Sequence, residues 1–269
     1  MAEAVLAAER LSKRYPLYGG LLRRRIGMVE AVQDVELEVR FGETVGLVGE
    51  SGSGKSTLAR LLVGLLPPTD GSVRWSGRPL SALRGRERLE ARRHVQMVFQ
   101  DPLGSLDPRL TIGETLAEPF EIHRVGRRIE RRLQVERLLQ AVELPIEYAR
   151  RLPRELSGGE RQRVGIARAI ALEPRVLVCD EPIASLDVTV GASILRLLAH
   201  LHAQRGMAVL FISHDLRAVA TLCGRIAVMQ AGRLIEVAPT PQLLAAPSHR
   251  YTQRLLRAAA LDLELPDDL

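Results

Sequence analysis

The chain has 269 residues, 46% of them hydrophobic and 26% charged, the composition of a globular protein built as one large domain or one domain with an insertion. Its two cysteines, Cys179 and Cys223, exclude a disulfide framework and a four-cysteine metal site, and no apolar run reaches the ~18–20 residues of a spanning helix. The net charge of +6 permits contact with nucleic acid or acidic lipid, but an aromatic content of 3% argues against a stacking platform for single strands. Reduced thiols and the lack of a basic-then-apolar start fit a protein that is not secreted. Any service to a membrane is expected from one side, through a partner.

In chain order, residues 4–11 and 32–41 read as strands. Val35, Leu37 and Val39 alternate with Glu36, Glu38 and Arg40, a half-exposed pattern. Between them, Pro16 to Leu22 and the run Arg23-Arg24-Arg25 read as a loop insertion, so Tyr15 ends the first strand. An aromatic there either stacks on an adenine or is an ordinary strand-end tyrosine. Next come the apolar run Thr44 to Val48, the loop Gly49-Glu50-Ser51-Gly52-Ser53-Gly54-Lys55-Ser56-Thr57 and a helix from Leu58. Pro67 to Gly71 form a turn, Ser72 to Trp75 a strand, and His94 to Phe99 a strand ending at Gln100. The arginines from 84 to 93 read as solvated surface.

Residues 111–142 are helical in pattern, with Leu133, Leu138, Leu139 and Val142 on one side, and form a lobe ending near Pro153. A helix starts after Leu156-Ser157-Gly158-Gly159-Glu160. Val176 to Cys179 is a strand buried on both faces, ending at Asp180-Glu181. Residues 188–204 are helix and 208–213 buried strand, followed by His214-Asp215 and another helix. Residues 225–230 and 233–237 form a hairpin around Ala231-Gly232. Residues 240–260 are helical, with an acidic tail. Strands alternating with helices imply a parallel sheet.

The loop at 49–57 has the strand, G-x-x-x-x-G-K-[ST], helix order of a P-loop. Its glycines let successive N–H groups turn inward around a phosphate, and the helix start adds partial positive charge. Lys55 can place a point charge on the outer phosphates, and the Ser56 hydroxyl can ligate Mg²⁺. Lys13 and Lys55 are the two lysines in a chain with 38 basic residues. A sequence that otherwise uses arginine keeps a compact ammonium here.

Asp180 and Glu181 end a buried strand, where an α/β sheet opens its ligand crevice. Asp180 is expected to hold Mg²⁺, through water, and Glu181 to orient or deprotonate an attacking water. Ser157-Gly158-Gly159 at a helix start is a second anion site. One triphosphate rarely needs two such sites in one chain. A head-to-tail pair resolves this, each helix start closing over its partner's nucleotide.

These stretches, in this order, resemble the ATPase subunits of ABC transporters. The resemblance covers nearly the whole chain. Tyr15 is similar to the adenine-stacking loop, Gly49 to Thr57 to the Walker A, and Gln100 to the Q-loop. Leu156 to Glu160 is similar to the signature, Asp180-Glu181 to the Walker B with its catalytic Glu, Ser185-Leu186-Asp187 to the D-loop and His214 to the switch histidine. The resemblance implies a P-loop NTPase α/β fold with a mostly parallel RecA-like core sheet, an N-terminal antiparallel β region and an inserted α-helical subdomain. It places the catalytic core at 1–99 and 157–240. The helical subdomain, with the Q-loop and the contact to the transmembrane partner, would span 100–156, and a helical tail 241–269.

It further implies ATP and Mg²⁺ as cofactors, with Gln100 sensing the metal and the lytic water, His214 holding Glu181 and Asp187 crossing a dimer interface. Glu160 stands where the signature usually has Gln, which tunes dimer affinity without removing ATPase activity. The insertion after Tyr15, the stretch Gln100 to Arg109 and the tail Pro247-Ser248-His249-Arg250-Tyr251-Thr252 resemble the peptide and nickel importer group. That group implies permease subunits, a second ATPase (a related chain or this one) and, indirectly, a solute-binding protein. It implies a place on the cytoplasmic face of the cell inner membrane. An ABC-type ATPase acting on nucleic acid or ribosomes, and an exporter subunit, remain the alternatives; nucleic acid is not expected as a partner.

Overall fold

The structure, a computed structural model, describes residues 4–19 and 24–259. It begins with a long antiparallel hairpin, β1 (Ala4–Gly19) against β2 (Arg24–Arg40). Val35, Leu37 and Val39 are buried while Glu36, Glu38 and Arg40 face water, so the two-residue period fixes which side of the hairpin meets the core. The loop expected from Pro16 is corrected here. Pro16 to Gly19 continue β1, with Pro16 opposite Met28 and Tyr18 opposite Arg25. Pairing of β1 with its other neighbour stops at Ser12, so the missing N–H of Pro16 falls on a free strand edge, where proline is tolerated. Tyr15 therefore lies inside a strand. Gly20, Leu21, Leu22 and Arg23 lie outside the described residues.

The chain continues through β3 (Thr44–Val48), α1 (Lys55–Leu62), β4 (Asp70–Trp75), β5 (Arg78–Pro79), α2 (Gly85–His94) and β6 (Val95–Val98). Then come α3 (Pro102–Ser105), α4 (Ile112–Ile122), α5 (Arg128–Ala141), α6 (Gly158–Ile170), β7 (Val176–Asp180), α7 (Val188–Arg205) and β8 (Ala208–Ile212). The last elements are α8 (Leu216–Leu222), β9 (Arg225–Gln230), β10 (Arg233–Pro239), α9 (Thr240–Ala245) and α10 (Arg250–Ala258). The helical stretch 111–142 is thus two helices, separated where Arg124 and Gly126 take left-handed backbone (φ 54° and 67°). Leu133 is half exposed and does not share the buried side of Leu138, Leu139 and Val142. In the arginine-rich stretch 84–93, Arg84, Arg86 and Arg92 face water as expected, while Arg88 and Arg93 are half-buried; most of the stretch folds as α2, a helix with no fully buried residue. The C-terminal helical stretch divides at Pro247, and its acidic tail lies outside the described residues.

Two sheets result. The antiparallel one has the order β2-β1-β4-β5; the other, β10-β9-β3-β8-β7-β6, is parallel except for the β9–β10 hairpin. The parallel strands are apolar on both faces, and alternate residues serve different cores. Val45, Leu47, Val176, Val178, Leu210 and Ile212 face the antiparallel sheet, with α1 packed between. Leu177, Cys179, Val209, Phe211, Ile226 and Val228 face the helices of the other side. The indole N–H of Trp75 donates to the Leu62 carbonyl at 2.9 Å, which satisfies an end carbonyl of α1 and ties it to the antiparallel sheet. This sandwich holds α1 rigidly and aims its N-terminus at the carboxyl ends of β3, β7 and β8.

Candidate functional site

The loop between β3 and α1 is built by close approach. A Cβ at Gly49 would lie 2.2 Å from the Met229 carbonyl oxygen, and one at Gly54, where φ is 107°, would lie 2.2 Å from that of Ala31. Only glycine fits at either place. Gly54 caps α1 without any side-chain hydrogen bond, so the first amides of the helix are left for a ligand. Ser53 Oγ is buried with no hydrogen-bond partner; Ser51 and Gly52 lie in the same turn and Thr57 in the first turn of α1.

Lys55 is 4% exposed. Its ammonium donates to the carbonyls of Gly49 at 2.8 Å and Glu50 at 2.9 Å. Burial pushes its pKa down, against the opposing pull of the Glu181 and Asp180 charges. An ammonium carries three donors, and a buried cation held by carbonyl dipoles calls for an anion.

Ser56 Oγ donates to Asp180 Oδ1 at 2.9 Å. Burial raises the Asp180 pKa, opposed by the Ser56 hydrogen bond and the Arg60 and Lys55 charges. One hydroxyl and one carboxylate, hard oxygens in contact at the edge of a phosphate nest, suit Mg²⁺, which binds through few protein ligands plus water and phosphate. Glu181 is the next residue. It takes φ 46°, an uncommon conformation for a side-chain-bearing residue. Its Oε2 lies 3.4 Å from Gln100 Nε2 and 3.3 Å from His214 Nδ1. These are long contacts, of the kind that tighten when a ligand closes a site.

The structure therefore gathers Gly49 to Thr57, Gln100, Asp180, Glu181 and His214 at one place. Tyr15 stands beside it. Its cross-strand partner Val29 is two positions along β2 from Ala31, whose carbonyl abuts Gly54. Tyr15 is 37% exposed, and its ring carries the Lys13 ammonium 5.3 Å from its centroid.

Ser157, Gly158, Gly159, Glu160 and Asp187 form a second group. Ser157 Oγ accepts from Glu160 N at 3.3 Å, and the Glu160 carboxylate accepts from Ser157 N at 2.7 Å, a reciprocal cap on α6. Asp187 caps α7 by accepting from Val190 N at 2.9 Å. A Cβ at Gly159 would lie 2.4 Å from Val190 Cγ1, so the two helix starts are fitted together. Among the described residues no hydrogen bond joins this group to the first.

Two contacts of the site were not foreseen. Tyr148 donates its hydroxyl proton to Glu160 Oε1 at 2.8 Å, and the Glu50 amide donates to the Tyr251 hydroxyl at 3.0 Å. The motif around Tyr251 stood out in the sequence, but nothing linear connects it with a loop 200 residues earlier. The Ser157 amide holds the Glu160 carboxyl below its ordinary pKa, with further lowering from Tyr148.

A family model described as ABC transporter matches residues 32–184. The chain belongs to the ABC transporter family. It is 47% identical over 96% of its length to a probable peptide ABC transporter ATP-binding protein of Sinorhizobium fredii, covering 73% of that protein. It is 42% identical over 94% of its length to a putative peptide import ATP-binding protein of Brucella ovis, covering 78% of it. Among solved structures, it resembles a dimeric post-hydrolysis state of an ATP-binding cassette bound to ADP and Pi, with a TM-score of 0.77 and 30% identity over 87% of this chain and 98% of that one. The expected fold, a P-loop cassette with an antiparallel region and inserted helices, is the one observed. No helix among the described residues of this ABC chain is long and apolar enough to cross a membrane.

Proposed function

We propose that this ABC chain is the ATP-hydrolysing subunit of an importer for peptides or a similar small solute, working at the cytoplasmic face of the cell membrane. The observation that carries this reading is the convergence of a buried Lys55, the Ser56–Asp180 pair and the Gln100–Glu181–His214 contacts on the start of one helix. The peptide transport named in the relatives favours a peptide cargo over nickel, which the sequence alone left equal.

The chemistry follows from those residues. The nest amides and Lys55 bind the phosphates and neutralise the charge that develops on them in the transition state. Ser56 and Asp180 would hold Mg²⁺, with Gln100 nearby, and that ion would supply divalent positive charge to offset the phosphates. Glu181 accepts the proton of the attacking water, and His214 and Gln100 hold its carboxylate in place. Tyr15 stacks on the base. Ser157 and the Gly158 and Gly159 amides, with Asp187 beside them, face the partner cassette's nucleotide in a head-to-tail pair. The dimeric cassette resembled above supports that pairing, with this chain or a related one as partner.

Residues 1–99 and 157–240 serve as the catalytic core, 100–156 as the part that meets the membrane subunits and 241–269 as an appendage. A groove of about 360 Å³ between these parts, with Leu65, Leu89, Phe99 and Ile122 on its walls, supports docking of a permease segment. A solute-binding protein would act on the far side of that permease.

Glu181→Gln tests the reading. ATP affinity is expected to stay within twofold while phosphate release falls about 10²- to 10⁴-fold, the usual contribution of a general base. A near-normal rate in that variant removes Glu181 from its role.

A further inference from the structure

The C-terminal segment touches the nucleotide loop. Tyr251, on α10, is 2% exposed, and its hydroxyl accepts the Glu50 amide proton at 3.0 Å. The carbonyl of the same peptide unit, that of Gly49, accepts from Lys55 Nζ at 2.8 Å. One peptide plane at the entrance of the nest is therefore held from both sides, by the appendage and by the lysine that meets the phosphates. An amide engaged behind the loop cannot turn inward, so this contact selects which N–H groups of 49–57 remain for an anion.

Tyr251 is itself fixed. Glu236, on β10, accepts from Ser248 N at 2.7 Å, His249 N at 3.1 Å and Thr252 Oγ1 at 2.6 Å. Thr252 is 1% exposed. His249 Nδ1 accepts from Tyr251 N at 3.1 Å and so caps α10. The Arg254 guanidinium lies 5.8 Å from the Tyr251 ring centroid. One carboxylate thus gathers three donors of the segment and presents the phenol to the loop. A helix that merely covered apolar surface would need neither a buried phenol pointed at a backbone amide nor a carboxylate organising its first turn.

We propose that Tyr251 is a positioning residue for the nucleotide loop, and that residues 247–252, clasped by Glu236, set the affinity of that loop for ATP. The inference rests on the nucleotide-binding reading given above. Tyr251 does not touch the reacting atoms; it acts through the Gly49–Glu50 peptide.

The test uses the full chain and the fluorescent analogue MANT-ATP. Tyr251→Phe keeps the ring that fills the site and removes the acceptor. Loss of one hydrogen bond is expected to weaken MANT-ATP binding and raise KM for ATP about threefold to tenfold. The kcat is expected to stay within twofold. Amide hydrogen exchange over residues 45–56, measured without nucleotide, is expected to speed up. Glu236→Gln leaves Tyr251 in place but sets an amide group against a row of donors, and is expected to move both readouts in the same direction. Wild-type exchange and wild-type affinity in either variant overturn the clasp. Should the unaltered chain bind no MANT-ATP, it is the nucleotide-binding reading that falls.

Discussion

The loop at 49–57 and the turn at 157–160 are both glycine-containing starts of helices, yet the chain finishes them in opposite ways. At the first, Gly54 offers α1 no side-chain cap, Ser53 Oγ has no partner and a buried ammonium leans on two carbonyls. At the second, Ser157 and Glu160 cap each other, and Tyr148 takes up the remaining acceptor of Glu160. Orphan helix amides and a desolvated cation require an anion. A helix start that satisfies itself does not. The comparison supports the proposed division of labour, in which the first end would grip a nucleotide within one molecule and the second would add contacts once another molecule presents one.

Lys55→Ala sharpens this contrast most. Removing a charge-assisted contact from the gripping end is expected to weaken MANT-ATP binding about 10- to 100-fold, read by titration of the isolated chain. Retained affinity would mean that the glycine loop holds phosphate without its cation. Ser157→Ala, at the self-capped end, is expected to leave that binding within twofold. It is expected to slow turnover about tenfold in the assembled transporter, with about 1 kcal/mol of stability lost from the missing cap. Weakened binding in the isolated chain would break the division of labour.

Glu160→Gln should do least. The amide oxygen still accepts from Ser157 N, and loss of a half-buried negative charge from the face proposed to meet the partner's phosphates is expected to raise ATP-driven pairing less than about threefold, since the carboxylate is already held by Ser157 N and the Tyr148 hydroxyl. Analytical ultracentrifugation with and without ATP measures it. A drop in pairing would show that the carboxylate, not the backbone, organises this turn.

Much of the gripping end was legible in the sequence because its signal is local. Glycine spacing, a single lysine and an apolar strand ending in Asp180-Glu181 are all read within a few residues. The alternation in β2 foretold its buried face for the same reason. The arm at 16–19 was misread because Pro16 and Gly19 carry turn signals by composition, while their strand state comes from a cross-strand partner and a free edge on the far side. Leu133 shares composition but not phase with the buried side: at about 100° per residue it lies across α5 from Leu138 and Val142, and α5 buries Val135, Leu138 and Leu139 instead. The Tyr148–Glu160 and Glu50–Tyr251 contacts depend on how α6 and α10 dock, which no window of sequence contains.

Cys179 and Cys223 lie unpaired in the helix-side core. Burial raises both thiols, Cys223 to about 12, so in the folded molecule they stay protonated and sluggish toward alkylating reagents. The natural chain is in effect already cysteine-silent at its surface. Spin labels or fluorophores placed on introduced surface cysteines would report subunit movements without first stripping the native thiols. Any slow uptake of reagent by those two sulfurs would time the opening of the core itself.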